Sequence, residues 1–262
     1  MEVEGVKAAV GLMSGTSMDG IDAAVVNTDG ERVFGFGPAQ TLVYDDEFRD
    51  RLRAVLGVDP DDSDESQAVA EELTHLHAEA VKRLLGDNDL KADAIDAIGF
   101  HGHTVIHKPD RGITRQIGDG ALLARETGIP VVSDFRAADV AGGGQGAPLA
   151  PLYHAALTRN LDKPLAVLNL GGVANVTWIS PDGGLVAFDT GPGNALIDDW
   201  VRENGEGDMD TPMDKDGRLA HAGAVIEDAL AELLDDPYFA RAYPKSLDRG
   251  AFDPAPVKGL SL

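Results

Sequence analysis

MSGTSMDG at 13–20 combines glycines, which let the main chain approach a ligand closely, with small hydroxyl side chains that add hydrogen-bond donors. That combination suits a phosphate group, although taken alone the same residues also make an ordinary hairpin turn. LGGVAN at 170–175 is a second loop of this kind, and two such loops at the start of two similar lobes are what a nucleotide cleft requires. Asp189, in AFDTGPGN at 187–194, stands at the end of an apolar run with Thr190, Gly191 and Gly193 opening the next turn. A carboxylate there can take a proton from water or a hydroxyl during phosphoryl transfer. Its commoner job in such a place is an Asx turn or a helix N-cap.

Other chemistries find less support. There is no GxxxxGK[ST] and no GxGxxG between a strand and a helix, and GGGQG at 142–146 is too irregular to count. Ser14, Ser17 and His101 could join an aspartate in a hydrolase triad, but both serines lie in a hairpin and not on a strand-to-helix turn. His101, His103 and His107 would share one face of an alternating strand, yet imidazoles without an evident carboxylate partner make a poor metal site. We assign no metal-ligating residue.

The elements that must position these groups follow from periodicity. Residues 6–44 alternate apolar runs with Gly/Asp turns and read as hairpin strands. Helices are expected over Asp45–Leu56 and Ser63–Leu85, the second burying a stripe of Val69, Leu73, Leu76 and Ala80. Strands at 94–107 and TRQIG precede a helix capped by Asp119, and IPVVSDF is the next strand. AGGGQGAP at 141–148 is a candidate hinge, followed by a helix from about Pro148. Beyond it, PLAVLNLGG, ANVTWIS and GGLVAFDTG repeat the opening pattern before helical NALIDDWVRE. The expectation is an α/β chain of two related lobes facing a cleft: 1–140, a hinge and connecting helix at 141–163, and 164–262.

Composition narrows the partners. A chain of 262 residues with 22 Lys+Arg against 45 Asp+Glu carries a formal charge of −23, which repels phosphate backbones and argues against nucleic acid. The acids are spread along the chain, and adaptation to high salt is our hypothesis for them. There is no cysteine, no run approaching a membrane span and no basic secretory start, so a cytoplasmic protein without a membrane partner is expected.

MSGTSMDGIDAAVV, GFHGHTVIH, QIGDG, SDFRAADVAGGGQGAPLAP, LNLGGVANVTWI, AFDTGPGN and MDKDGRLA, in that order, resemble the anhydro-N-acetylmuramic acid kinase family over nearly the whole chain. The resemblance implies a two-lobed actin-like (ribonuclease H-like) ATPase fold that uses ATP and Mg²⁺ and acts on a 1,6-anhydro sugar. It implies that Asp189 is the catalytic base. Ser14, Gly15, Thr16, Ser17, Asp19 and Gly20 would form the first phosphate loop, with Gly171, Gly172 and Asn175 forming the second. His103, Thr104, Arg136, Gly191 and Asn194 would meet the sugar, Arg136 gripping its carboxylate or ring oxygens.

Where the family usually has HGQT this chain has HGHT, and YPKSLDRGAFD at 243–253 keeps only Lys245 and Ser246 of the family's PPKSTGRE. Family members also continue for roughly another hundred residues. The second lobe is therefore expected to be incomplete and to expose an unfinished sheet edge. A C-terminal truncation of the recorded sequence is the preferred explanation, with a partner or a second copy in a homodimer as the alternative. Kinases of other anhydro sugars, such as levoglucosan, and a non-catalytic sugar- or nucleotide-binding fragment are the competing readings of function.

Overall fold

The structure is a computed structural model, described over residues 5–15, 17–59, 63–204, 213–247 and 252. Thr16 of the first candidate loop and the 248–251 stretch lie outside the described residues. The chain divides into two compact units, 1–149 and 150–262.

The first unit contains β1 (Lys7–Ser14), β2 (Gly20–Thr28), β3 (Val33–Val43), α1 (Asp46–Ala54), α2 (Asp64–Asp87), β4 (Ala97–Phe100), β5 (His103–Lys108), β6 (Ile113–Ile117), α3 (Gly120–Thr127), β7 (Val131–Ser133) and α4 (Ala137–Ala141). Its main sheet has the order β3-β2-β1-β4-β7, antiparallel across β1, β2 and β3 and parallel across β1, β4 and β7. This strand order is that of an actin-like lobe. β5 and β6 form a separate antiparallel ribbon.

α1 and α2 start one residue after the expected first residues, which serve as caps: the side chains of Asp45 and Ser63 accept from Phe48 and Ser66 N–H, with acids in both first turns favouring the positive end of the helix dipole. α2 buries Val69, Leu73, Val81 and Leu84 against the sheet, with Val10, Ile21, Ile98 and Phe100 in the same core. Leu76, expected in the buried stripe, is only partly buried, and His77 is fully enclosed in its place. The stripe follows i, i+4 steps from Val69 through Leu73 to His77, and that rotation displaces Leu76.

The second unit contains α5 (Ala150–Leu157), β8 (Leu165–Leu170), β9 (Val173–Ile179), β10 (Leu185–Pro192), α6 (Ala195–Asn204), α7 (Arg218–Ala222), α8 (Glu227–Leu234) and α9 (Pro237–Ala240). β10-β9-β8 is an antiparallel meander, the same arrangement as β3-β2-β1. The sequence repeat is therefore a repeat of topology. α5 lies on this sheet, where His154 Nδ1 is 2.9 Å from Thr177 Oγ1. Among the described residues β8 has no second neighbour, and its Leu168 and Leu170 are 58% and 61% exposed.

Candidate functional site

In the first unit the candidate loop is a turn hung from buried anchors. Ser14 ends β1 with 2% exposure, accepts a hydrogen bond from Tyr44 Oη at 2.7 Å and lies 2.9 Å from His103 Nδ1. Beyond it the turn closes by Met18 N–H to Gly15 C=O at 3.0 Å, with Met18 held at φ 55°, and Ser17 Oγ donates to Asp19 Oδ1 at 2.6 Å. Arg49 Nε donates to Met18 C=O and Tyr44 N–H to Asp19 C=O, each at 3.0 Å. Gly20 is a packing residue, since a Cβ there would lie 2.4 Å from Leu42 O on β3. Among the described residues of the turn, the exposed or half-exposed polar groups are Gly15, Ser17 and Asp19.

His103, expected to face a sugar, is fully enclosed, while Thr104 is half-buried and accepts from Gln116 Nε2 at 3.2 Å. The three histidines do not share a face. A register irregularity between Thr104 and Ile106 shifts the alternation, leaving His107 exposed and 3.0 Å from Thr114 Oγ1. No group of three or more metal-ligating side chains occurs among the described residues. QIGDG is structural: Gln116 holds two threonine hydroxyls, Gly118 at φ 126° passes the Phe100 ring, and Asp119 caps α3.

Arg136 is half-buried and held by neutral acceptors, donating from Nε to His101 Nε2 at 3.0 Å and from Nη1 to Gly146 C=O at 2.6 Å. His101 can accept because burial lowers its pKa and its Nδ1–H is directed to Gly102 C=O at 2.9 Å. Among the described residues no carboxylate lies within ion-pair distance of Arg136. The glycine-rich segment wraps this pair: Gly146 N–H donates to Asp139 Oδ2 at 2.6 Å and Gly144 N–H to Asp139 C=O at 2.8 Å.

In the second unit, Asn169, Asn175 and Asp189 stand in one cross-strand row on β8, β9 and β10. Thr190 is the extra residue of a bulge after Asp189, which re-aims the end of the strand. Asp189 is held from three sides. Its N–H donates to Lys245 C=O at 3.1 Å, its C=O accepts from Tyr238 Oη at 2.6 Å, and its Oδ2 accepts from Leu247 N–H at 2.8 Å. None of these contacts is expected from the sequence, although Lys245 is one of the two residues that match the family's PPKSTGRE stretch. The Gly171–Gly172 turn is clamped through its carbonyls, which accept from the N–H groups of Gly193, Asn194 and Ala195 at 2.8–3.2 Å. Gly193 is required there, because a Cβ would lie 2.1 Å from Gly171 O. Asn194 Nδ2 bonds Leu170 C=O at 3.0 Å, and Gly191 leaves room for the Phe239 ring.

Each unit thus presents a glycine hairpin at the end of its first strand, and the second adds a carboxylate fixed on a bulged strand end. The profile of the family described as anhydro-N-acetylmuramic acid kinase matches residues 7–257. The chain belongs to that family. It is 55% identical to the anhydro-N-acetylmuramic acid kinase of Rhodospirillum rubrum over 262 residues, covering 99% of this chain and 68% of that protein. It is likewise 55% identical to the one from Acidiphilium cryptum, covering 97% and 69%. Among solved structures, an ethanolamine utilization protein, EutJ, from Carboxydothermus hydrogenoformans aligns at 15% identity and TM-score 0.34, covering 78% of this chain and 58% of that one. The fold of this family member rests on its own strand order and not on that superposition. No helix among the described residues is long and apolar enough to cross a membrane.

Proposed function

We propose that this chain carries out the transfer its family is named for, on 1,6-anhydro-N-acetylmuramic acid with ATP. Asp189 takes a proton from water, the hydroxide adds at C1, the C1–O6 bond breaks, and O6 attacks the γ-phosphorus. The products are N-acetylmuramic acid 6-phosphate, ADP and a proton released from the carboxyl group, a reaction suited to the recycling of cell-wall sugars. The observation that carries this reading is the grip on Asp189 at a strand end, its main chain held by Lys245 and Tyr238 and its Oδ2 by Leu247 N–H, which supports a positioned base.

Gly15, Ser17 and Asp19 in one unit and the Gly171–Gly172 turn in the other are the groups we assign to the nucleotide's phosphates, and Thr16 joins them by its place in the sequence. Mg²⁺ prefers hard oxygens and keeps much of its shell as water and phosphate, so Asp19, a carboxylate in the turn, fits as its single protein anchor. When bound, the ion supplies charge neutralisation for the transferring phosphoryl group. We assign Arg136 to the lactyl carboxylate, because a half-buried guanidinium whose partners among the described residues are neutral is matched by an anion. That assignment favours the muramyl sugar over levoglucosan, which has no carboxylate.

Asp189→Asn is expected to lower turnover by about 10²-fold or more, the scale of a lost general base, in an assay coupling ADP release to the anhydro sugar. Near-normal turnover of the amide overturns the role. Absence of ATP binding to the unaltered chain by calorimetry overturns the kinase reading.

A further inference from the structure

His101 touches the guanidinium assigned to the sugar's carboxylate, yet the chemistry described so far gives it no part. It directly follows Phe100 at the end of β4, half-buried, with its N–H on Leu12 C=O of β1 at 3.4 Å. Gly102 then turns the chain into β5 at φ 68°, where a Cβ would lie 2.3 Å from Ile117 O. The ring is thus set at the junction of the main sheet and the β5–β6 ribbon, by main chain that admits little adjustment.

Two neighbours fix its single proton. Nδ1 lies 2.9 Å from Gly102 C=O, which only accepts, so Nδ1 carries the hydrogen. Nε2 lies 3.0 Å from Arg136 Nε, whose N–H only donates, so Nε2 offers its lone pair. The ring is neutral, in keeping with a pKa lowered by burial.

The consequence falls on Arg136. A guanidinium carries five N–H donors in a rigid fork and can meet a carboxylate with two at once, along its Nε–Nη2 edge or its Nη1–Nη2 edge. His101 takes Nε–H, which closes the first edge. Gly146 C=O takes one hydrogen of Nη1 at 2.6 Å, and that carbonyl is itself fixed. Gly146 stands at φ 63°, a Cβ there would lie 2.7 Å from Val140 Cγ2, and its N–H donates to Asp139 Oδ2 at 2.6 Å. The Asp139 carboxylate, three residues along from Arg136, is therefore committed to the main chain. Nη2 keeps both hydrogens without a partner among the described residues.

We propose that His101 is a positioning residue for substrate binding: by holding the Nε–H of Arg136 it directs Nη2 to the substrate's carboxylate and makes the site selective for a sugar that bears one. The inference rests on the assignment of Arg136 to the lactyl carboxylate. Without the acceptor, Nε–H is left unpartnered in a half-buried place, and the guanidinium turns to satisfy it at the expense of the ligand.

The test compares, by calorimetry at pH 7, the affinity of the full chain for 1,6-anhydro-N-acetylmuramic acid and for its methyl ester. The unaltered chain is expected to prefer the acid by about tenfold or more, the scale of a hydrogen bond between charged groups, and Arg136→Ala to abolish the preference. His101→Leu should cut it about fivefold, the scale of one net hydrogen bond, with the ester's affinity unchanged. His101→Gln, whose carbonyl can accept from Nε–H, should retain it. A long-range ¹H–¹⁵N spectrum of the ¹⁵N-labelled chain should show His101 protonated at Nδ1 alone, with and without the acid. Protonation at Nε2 or at both nitrogens, a folded His101→Leu with the full preference, or a His101→Gln without it overturns the inference and leaves the carboxylate assignment standing. Equal affinity of the unaltered chain for acid and ester, or a preference that survives Arg136→Ala, overturns both together. Should His101→Leu fail to fold, the spectrum and His101→Gln decide.

Discussion

The hairpins that open the two units are held by different means. The β1–β2 turn hangs from side chains: Ser14 on His103 and Tyr44, and Arg49 on Met18 C=O. The β8–β9 turn is clamped mainly by main chain, with three N–H groups of residues 193–195 on the carbonyls of Gly171 and Gly172 and the Asn194 side chain on Leu170 C=O. The first arrangement sits on a five-stranded sheet covered by α2, and the second on three strands whose β8 has no second neighbour among the described residues. A turn held by buried side chains answers to titration and to single substitutions, whereas one held by backbone answers mainly to the glycine that permits the approach.

The sharpest contrast is in core packing. Leu73→Ala on α2 removes a side chain with 0% exposure and should lower the opening free energy of the β1 and β4 amides by about 2–5 kcal/mol. Leu168→Ala on β8, already 58% exposed, should change the second unit by no more than about 0.5 kcal/mol. Native-state hydrogen exchange reads both. Similar losses at the two sites would remove the distinction between the units.

Acid should separate them next. The folded pKa values of His77 and His103 are lowered to about 4 from 6.5 by burial, so folding favours the neutral rings. Their contribution is complete above pH 6.5 and is lost as pH falls from there towards 4. At pH 5 each ring costs about 2 kcal/mol, from about 1.4 kcal/mol per unit of pKa shift. Protection of β1 and β4 should fall accordingly between pH 7 and pH 5. Flat protection over that range would mean that the rings are not held neutral.

Much of this was legible in the residues. Periodicity and caps place α1, α2 and α3 to within about two residues, because Asp45, Ser63 and Asp119 do locally what their types allow. The repeat of strand, glycine turn and strand foretells two meanders. What the sequence hides is the choice between equivalent neighbours on a helix: apolarity favours Leu76, and packing buries His77. The bulge between Thr104 and Ile106 is equally silent, and it separates histidines that strict alternation would align. In the second unit Tyr238 and Leu247 reach Asp189 from 49 and 58 positions away, a proximity that no local pattern encodes.

That distant grip gives the smallest effect and the finest test of the comparison. Tyr238 is buried, its pKa is raised by burial and then by Asp189, and its hydroxyl therefore serves as a donor to Asp189 C=O. Lys245 Nζ lies 4.4 Å from the Tyr238 ring centroid and donates to Tyr238 C=O, while Lys245 C=O takes the Asp189 N–H, so one residue ties both ends of the strap, one by its side chain and the other by its main chain. Tyr238→Phe keeps the ring and the cation–π contact and removes only the hydroxyl. The expected loss is about 1 kcal/mol in protection of the Asp189 amide. If the carboxylate is positioned through this strap, kcat should fall by up to about tenfold with KM unchanged, because the interaction matters where the proton moves and not where the sugar binds. A rise in KM at constant kcat would instead place Tyr238 in substrate binding, and Asp189 would then be positioned through Lys245 and Leu247 without it.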